Sequence, residues 1–511
     1  VPVQRNYRTN IYGSLLTNSV NINVEIVPDF NEPGYEGEKF EATAKVNGVE
    51  YPSFAAAVEA VNDGGAGTYN VVLQGTTSWE TGDAGDNANK CFTNPASTVN
   101  LDLNGKSLTM TGSGGFVNAA KMNISNGTIV DKTAYKYENG ETAWEFTYLE
   151  FEGGEYTFDN VTFNNSVMFK GTKATATNCI FNGIATLTSN QSDEYCLWIG
   201  KGDVTLKGCK ISNGYRGVKA HNGYGTEDIN IVIDGCEFFD LAGKAAVLTD
   251  RKVVSCDIKD CIFRDVQAGG QGMYAYQSYT SLRPKVSNCR VVFTKAQGLV
   301  NFAKQVNEVK MSYSDKTLTF ELGSDIDLAG INWEPIGQTG VQQFQGVFDG
   351  KNYTIKNLTI NKVSTEAYVV AGFFGWLNNG ANVKNVKFEG VKITASGYAG
   401  VVAGYIENHV TPEAQISNCH VNNAAISSKA NGSAKGAKVG GIIGMFNDPA
   451  HVTNCSVSNT NIDAARDAGQ IVGATYADRI VNCTATNVNV TANGTGDGSN
   501  VRNELIGRVL L

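Results

Sequence analysis

The chain has little charge, little proline and almost no histidine: of 511 residues, 18% are charged, 9 are Pro and 4 are His. That poverty, set against 42% apolar residues, excludes an intrinsically disordered polymer. Basic residues are outnumbered, with Lys+Arg 41 against Asp+Glu 50 and a net charge of −9. No basic stripe is available to displace phosphate counterions, so nucleic acid is excluded as a partner. No apolar run approaches the roughly 20 residues that a membrane-spanning helix needs. P-loop, dinucleotide, nucleophile-elbow and zinc motifs are all missing, and no cofactor or metal is expected. What the chain has in quantity is glycine, 57 residues, and asparagine.

It also repeats. A six-residue template (apolar, any, Asn/Gly/Asp, small or apolar, any, apolar) reads Ile-Ser-Asn-Gly-Thr-Ile at 124–129 and Phe-Asp-Asn-Val-Thr-Phe at 158–163. It recurs as Leu-Lys-Gly-Cys-Lys-Ile at 206–211 and Ile-Asp-Gly-Cys-Glu-Phe at 233–238. The third positions are Gly105, Asn126, Asn160, Asn178, Gly208, Gly235, Asp260 and Asn288, then Asn357, Asn385, Asn418, Asn454 and Asn482.

Apolar residues two before and one and three after that position cannot share one face of a straight strand, because side chains alternate with period two. All of them point inward if the marked residue is a corner. Gly, Asn and Asp tolerate the left-handed backbone that such a corner requires. Two short strands hinged at a bend, once per repeat, describe a coil of a parallel β-helix. A β-propeller would need four strands per repeat and tight Asn-Gly hairpins, which are scarce. The expected fold is therefore all-β, a parallel β-helix solenoid.

Eight of the eleven cysteines, Cys179, Cys209, Cys236, Cys261, Cys289, Cys419, Cys455 and Cys483, follow a marked residue directly. That slot faces inward, so the spacing predicts stacked free thiols acting as small apolar filler. Stacked, parallel Cβ vectors fit disulfide geometry poorly.

Each series follows an amphipathic stretch. Ser53–Asn62 sets Phe54, Ala57, Val58 and Val61 on one helical face with Ser53 as N-cap, and 297–307 does so with Leu299, Phe302, Ala303 and Val306. A solenoid end exposes core and unpaired edges, so both are expected as capping helices. This gives two tandem β-helices, 40–295 and 296–511. In 1–36, Val20, Ile22, Val24 and Ile26 alternate with polar residues, which predicts an extended strand and linker.

Trp333-Glu-Pro-Ile-Gly337, Phe344-Gln-Gly-Val-Phe-Asp-Gly350 and Tyr353 to Ile360, followed by Gly-framed pieces at 371–375, 400–404, 440–444 and 469–473, resemble a GLUG-repeat domain over about 330–510. Residues 100–295 resemble generic right-handed parallel β-helix repeats. The opening Val1 to Thr17 is similar to the end of fimbrillin-like sandwich domains in Bacteroidetes surface proteins, which makes 1–36 the last strand of an upstream domain. Together these resemblances imply a secreted or outer-membrane-surface, adhesin-like protein, part of a longer chain, with a glycan or protein ligand.

The candidate binding residues are aromatics on loops: Tyr135, Tyr137 and Trp144 within 133–155, and Tyr274, Tyr276 and Tyr279 within 269–283. Such side chains on a rigid scaffold stack on sugars or anchor a protein. The alternative is a polysaccharide lyase or glycoside hydrolase on the first helix, built from Asp234, Asp257, Asp260 and Asp265 with Arg216, Lys219, Lys259 and Arg264, and with His221 as a base. The alternation of Lys207, Asp234 and Lys259 on successive coils reads instead as a solvated face. Asp83/Asp86 and Asp325/Asp327 are too few for a Ca²⁺ site. A third reading is a structural spacer or fimbria-associated subunit. The sequence favours a non-enzymatic binder.

Overall fold

The structure is a computed structural model. It describes residues 42–80, 91–111, 115–117, 121–131, 149–183, 195–222, 225–241, 245–265, 274–308, 318–364, 369–378, 380–407, 411–429, 437–447, 450–476, 479–492 and 504–509. The strand expected within 1–36 lies outside them, as do Tyr135, Tyr137, Trp144, Asp83 and Asp86.

All thirteen marked residues have positive φ, from 50-odd degrees (Asn288, 51°) to 71° (Gly105). The corner prediction holds at every one of them. Around each, the chain runs a strand into the corner and another out of it, and successive coils pair in parallel: Lys207 meets Asp234, which meets Lys259. The fold is a parallel β-helix. Its core carries stacked rings such as Phe116 on Phe151 (4.9 Å), Phe163 on Phe181 (5.0 Å) and Phe238 on Phe263 (5.1 Å). Corner amides add a second ladder, with Asn418 Nδ2 donating to Asn385 Oδ1 at 3.1 Å and Asn385 Nδ2 to Asp349 Oδ1 at 3.0 Å.

All eleven cysteines are free and buried. Each of the eight in the ladder slot points its thiol at the carbonyl two residues back, at 3.1 Å for Cys261 and 3.5 Å for Cys236. The corner turns that carbonyl toward the slot, so a small side chain with a weak donor fits better than a plain apolar one.

Register corrects one reading. Thr354–Lys356 pairs with 387–389, which follows Asn385, so Asn357 does not stand above Asn385. It heads a different corner column, continued by Gly390, Asn423, Asn459 and Asn487, all with positive φ. The second series thus turns two Asn-rich corners per coil where the template finds one.

Helix α1 spans Phe54–Asn62, with Ser53 accepting the Ala56 N–H at 3.1 Å and Phe54, Ala57, Val58 and Val61 buried. It packs on the first strands of the coil series, Phe54 meeting Trp79 and Phe92 edge-on. Helix α2, Ala296–Glu308, buries the four residues expected of it, but it does not cap an end. Cys289–Phe293 pairs in parallel with Leu318–Leu322, and that ladder continues through Val347–Asp349 and Asn382–Lys384. Phe302 of α2 lies within ring contact of Phe293, Phe320 and Phe344. Residues 42–511 form one compact unit. The boundary at 295/296 is a change of cross-section within one solenoid, because the leaving strand of the first series becomes the entering strand of the second.

Candidate functional site

The first series has a third strand per coil, which the six-residue template does not contain. Tyr195–Ile199, Arg216–Ala220, Ala245–Thr249 and Tyr274–Ser278 pair in parallel order. In the first three, two consecutive positions face the core: Cys196 with Leu197, Gly217 with Val218, and Ala246 with Val247. Two inward residues in a row put a bend there. Gly217 is required at it, since a Cβ would lie 2.3 Å from the Ala246 carbonyl oxygen. Residues on both sides of the bend then face outward, in two columns that lean together. Tyr195, Ala245 and Leu248 accordingly form an apolar cluster separate from the core.

These columns carry an aromatic and cationic group. The Lys219 ammonium sits 4.9 Å from the Tyr195 ring centre and 4.7 Å from that of Trp198. The Arg216 guanidinium lies 5.4 Å from both the Tyr195 and Tyr215 rings and donates to the Tyr195 hydroxyl at 2.5 Å. Stacking a cation on an aromatic face offsets part of its desolvation. Trp198 Nε1 donates to the His221 carbonyl at 3.0 Å, and His221 Nδ1 lies 3.1 Å from Asp250 Oδ2. Burial, reinforced by the Lys219 charge, holds the His221 imidazole below its ordinary range although Asp250 pulls the other way.

Of the described candidate tyrosines, Tyr279 is exposed, and its N–H to the Thr249 carbonyl sets it on the rung beyond Asp250. Tyr276 is in register with Val247 and packs, partly buried, against the core. Tyr274 is described by its backbone alone, in register with Ala245. Tyr195, Trp198 and Tyr215 were missed by sequence reading. Their signal was the aromatic residues within Tyr195–Ile199 and just before Arg216–Ala220, legible only once those strands are aligned.

Asp234, Asp257 and Asp260 gather around Lys259. Asp234 is ion-paired with Lys259 at 3.0 Å, and Arg264 with Glu237 at 2.6 Å. Asp260 is a corner residue that accepts from Asn288. Asp265 is buried and accepts the Thr294 and Lys295 N–H groups at 2.8 and 3.2 Å, just ahead of α2. Asp257 faces Val232 and Lys285 across the ladder. Asp325 and Asp327 are likewise structural: Asp325 accepts from the Thr354 N–H and Lys356, Asp327 from the Ala329 N–H and Asn357. Among the described residues, no group of three His, Cys, Asp or Glu side chains could hold a metal. A groove of about 280 Å³ between α2 and the Trp333 segment, lined by Val300, Ala303, Ile331 and Trp333, contains none of these charged clusters.

Known proteins resemble parts of this chain. Residues 1–52 match a family of unknown function, DUF6562. No curated protein matches. The crystal structure of a putative immunoglobulin A1 protease from Bacteroides ovatus is similar at 21% identity over 43% of this chain and 83% of that one, with a TM-score of 0.26. Residues 147–312 match the right-handed β-helix region, the stretch that contains the third-strand face and its aromatic–cationic columns.

Proposed function

We propose that the chain is a non-enzymatic binding protein of the cell surface, adhesin-like, whose solenoid presents the Tyr195–Trp198–Arg216–Lys219 face and the exposed Tyr279 beside it to a glycan or protein ligand. The observation that carries this is Lys219 held between the rings of Tyr195 and Trp198 on a rigid sheet. Rings and hydrogen-bond donors fixed together suit stacking on a sugar or anchoring of a partner, and neither partner has to order the scaffold. The GLUG-like pieces at 330–510 and the surface location belong to the same proposal, and they rest on sequence resemblance to Bacteroidetes surface proteins.

One observation favours a second reading. The His221–Asp250 pair, with Nδ1 3.1 Å from Oδ2, has the form of a base and its orienting acid, as polysaccharide cleavage would use. A glycan and host-matrix array, run beside a polysaccharide cleavage screen, separates the two. The binding reading expects retained ligand, at least tenfold weaker for Trp198→Ala, with no product released. Product release that disappears in His221→Ala, or in an Asp234→Ala, Asp260→Ala variant, overturns it.

A further inference from the structure

Arg216 is 7% exposed, and a guanidinium is a planar cation with five N–H donors. Yet among the described residues it has no carboxylate partner: its contacts are the Tyr195 hydroxyl and two rings, and its buried Nε–H has no acceptor. Among the described residues, two carboxylates of this face are engaged elsewhere, Asp250 with His221 and Glu150 with Lys170 at 2.7 Å. Lys219 brings a second positive charge to the same Tyr195 ring. A buried guanidinium with an unused donor, facing outward beside another cation, has the chemistry to accept an anion.

We propose that this face binds an anionic sugar, a carboxylate or sulfate ester seated on the Arg216 guanidinium while the ring stacks toward Trp198. The planar fork of Nε and Nη fits two oxygens of one such group, and the rings beside it supply the stacking surface. This rests on the binding reading above and adds the chemistry of the ligand.

The test is calorimetric titration of the full chain with carboxylated and with sulfated oligosaccharides, neutral oligosaccharides of matched length, an acidic peptide, and inorganic sulfate as competitor. Expected are binding of at least one acidic sugar, at least tenfold weakening in Arg216→Met and a clear loss in Arg216→Lys, which keeps charge but not the fork. Trp198→Ala weakens it too, and sulfate competes. Circular dichroism checks the fold of each variant. If Arg216→Met does not fold, Arg216→Lys and sulfate competition decide. Equal binding of neutral and acidic sugars, insensitive to Arg216, overturns the anion assignment and leaves the binding reading standing. Binding of the acidic peptide alone overturns the sugar. No binding by any probe overturns the anionic-sugar assignment, and the glycan and host-matrix array then decides the binding reading.

Discussion

At the residue scale, the solenoid is written in its corners. Asn418 has φ 52° and donates to Asn385. Alanine there meets the left-handed penalty and loses the ladder bond, together about 2 kcal/mol. Glycine loses the bond alone, so urea denaturation should rank Asn418→Gly clearly above Asn418→Ala; equal losses would show that φ is not the constraint. The thiols follow the same logic. All eleven thiols are free and buried, so the folded protein should react slowly with a thiol reagent while the denatured chain exposes all eleven. Cys236→Ser should cost about 1–3 kcal/mol, because a hydroxyl needs a stronger bond than the 3.5 Å contact to the Asp234 carbonyl supplies. Coil-to-coil disulfides found by mass spectrometry would refute the ladder.

Two histidines give the protein a pH dependence. Burial lowers the imidazole pKa of both His221 and His420, each with a lysine nearby adding to it. The unfolded chain takes up these protons near 6.5 while the folded chain resists, so stability is complete above that pH and declines as pH falls below it. Melting temperature should drop between pH 7.5 and 5.5, and less steeply in His420→Gln. An unchanged slope would assign the effect to other groups.

At the element scale, α2 is the informative piece. Its four apolar positions were legible from 3.6-residue periodicity, whereas its role was not: amphipathicity says that one face is buried and is silent on what buries it. What fixes its start is Asp265, 29 residues before Thr294 in the chain. Gly298 leaves room for that carboxylate, since a Cβ there would lie 2.5 Å from it. Asp265→Ala should therefore cost about 2–3 kcal/mol, as buried N–H groups lose a charged acceptor. Asp265→Asn should recover part of that, and a near-neutral Ala variant in thermal melts would mean α2 needs no such anchor.

At the scale of the whole molecule, one ladder runs from the first series through Cys289–Phe293 and Leu318–Leu322 into the second. Neighbouring coils stabilise each other, so the cut at 295/296 would expose two core faces. By contrast, 42–511 is compact in itself, with α1 over its first coils. Deleting 1–36 should leave the melting of the solenoid unchanged; a large drop would show that the segment completes the first coil.

The amino-acid sequence by itself determined the β-helix, the thirteen corners, the thiol slot and the buried faces of both helices. All of these are local: a left-handed corner, an inward slot or an apolar stripe depends on residues within a few positions. Which corner stands above which, and what meets on the outer face, are decided by coil lengths that vary from one turn to the next. Asn357 and Asn385 share a template yet stand in different columns for that reason. Tyr195 and Arg216 lie 21 residues apart and meet because stacking sets them on adjacent rungs. The ligand-facing chemistry of this protein is therefore a property of register, which only the tertiary structure supplies.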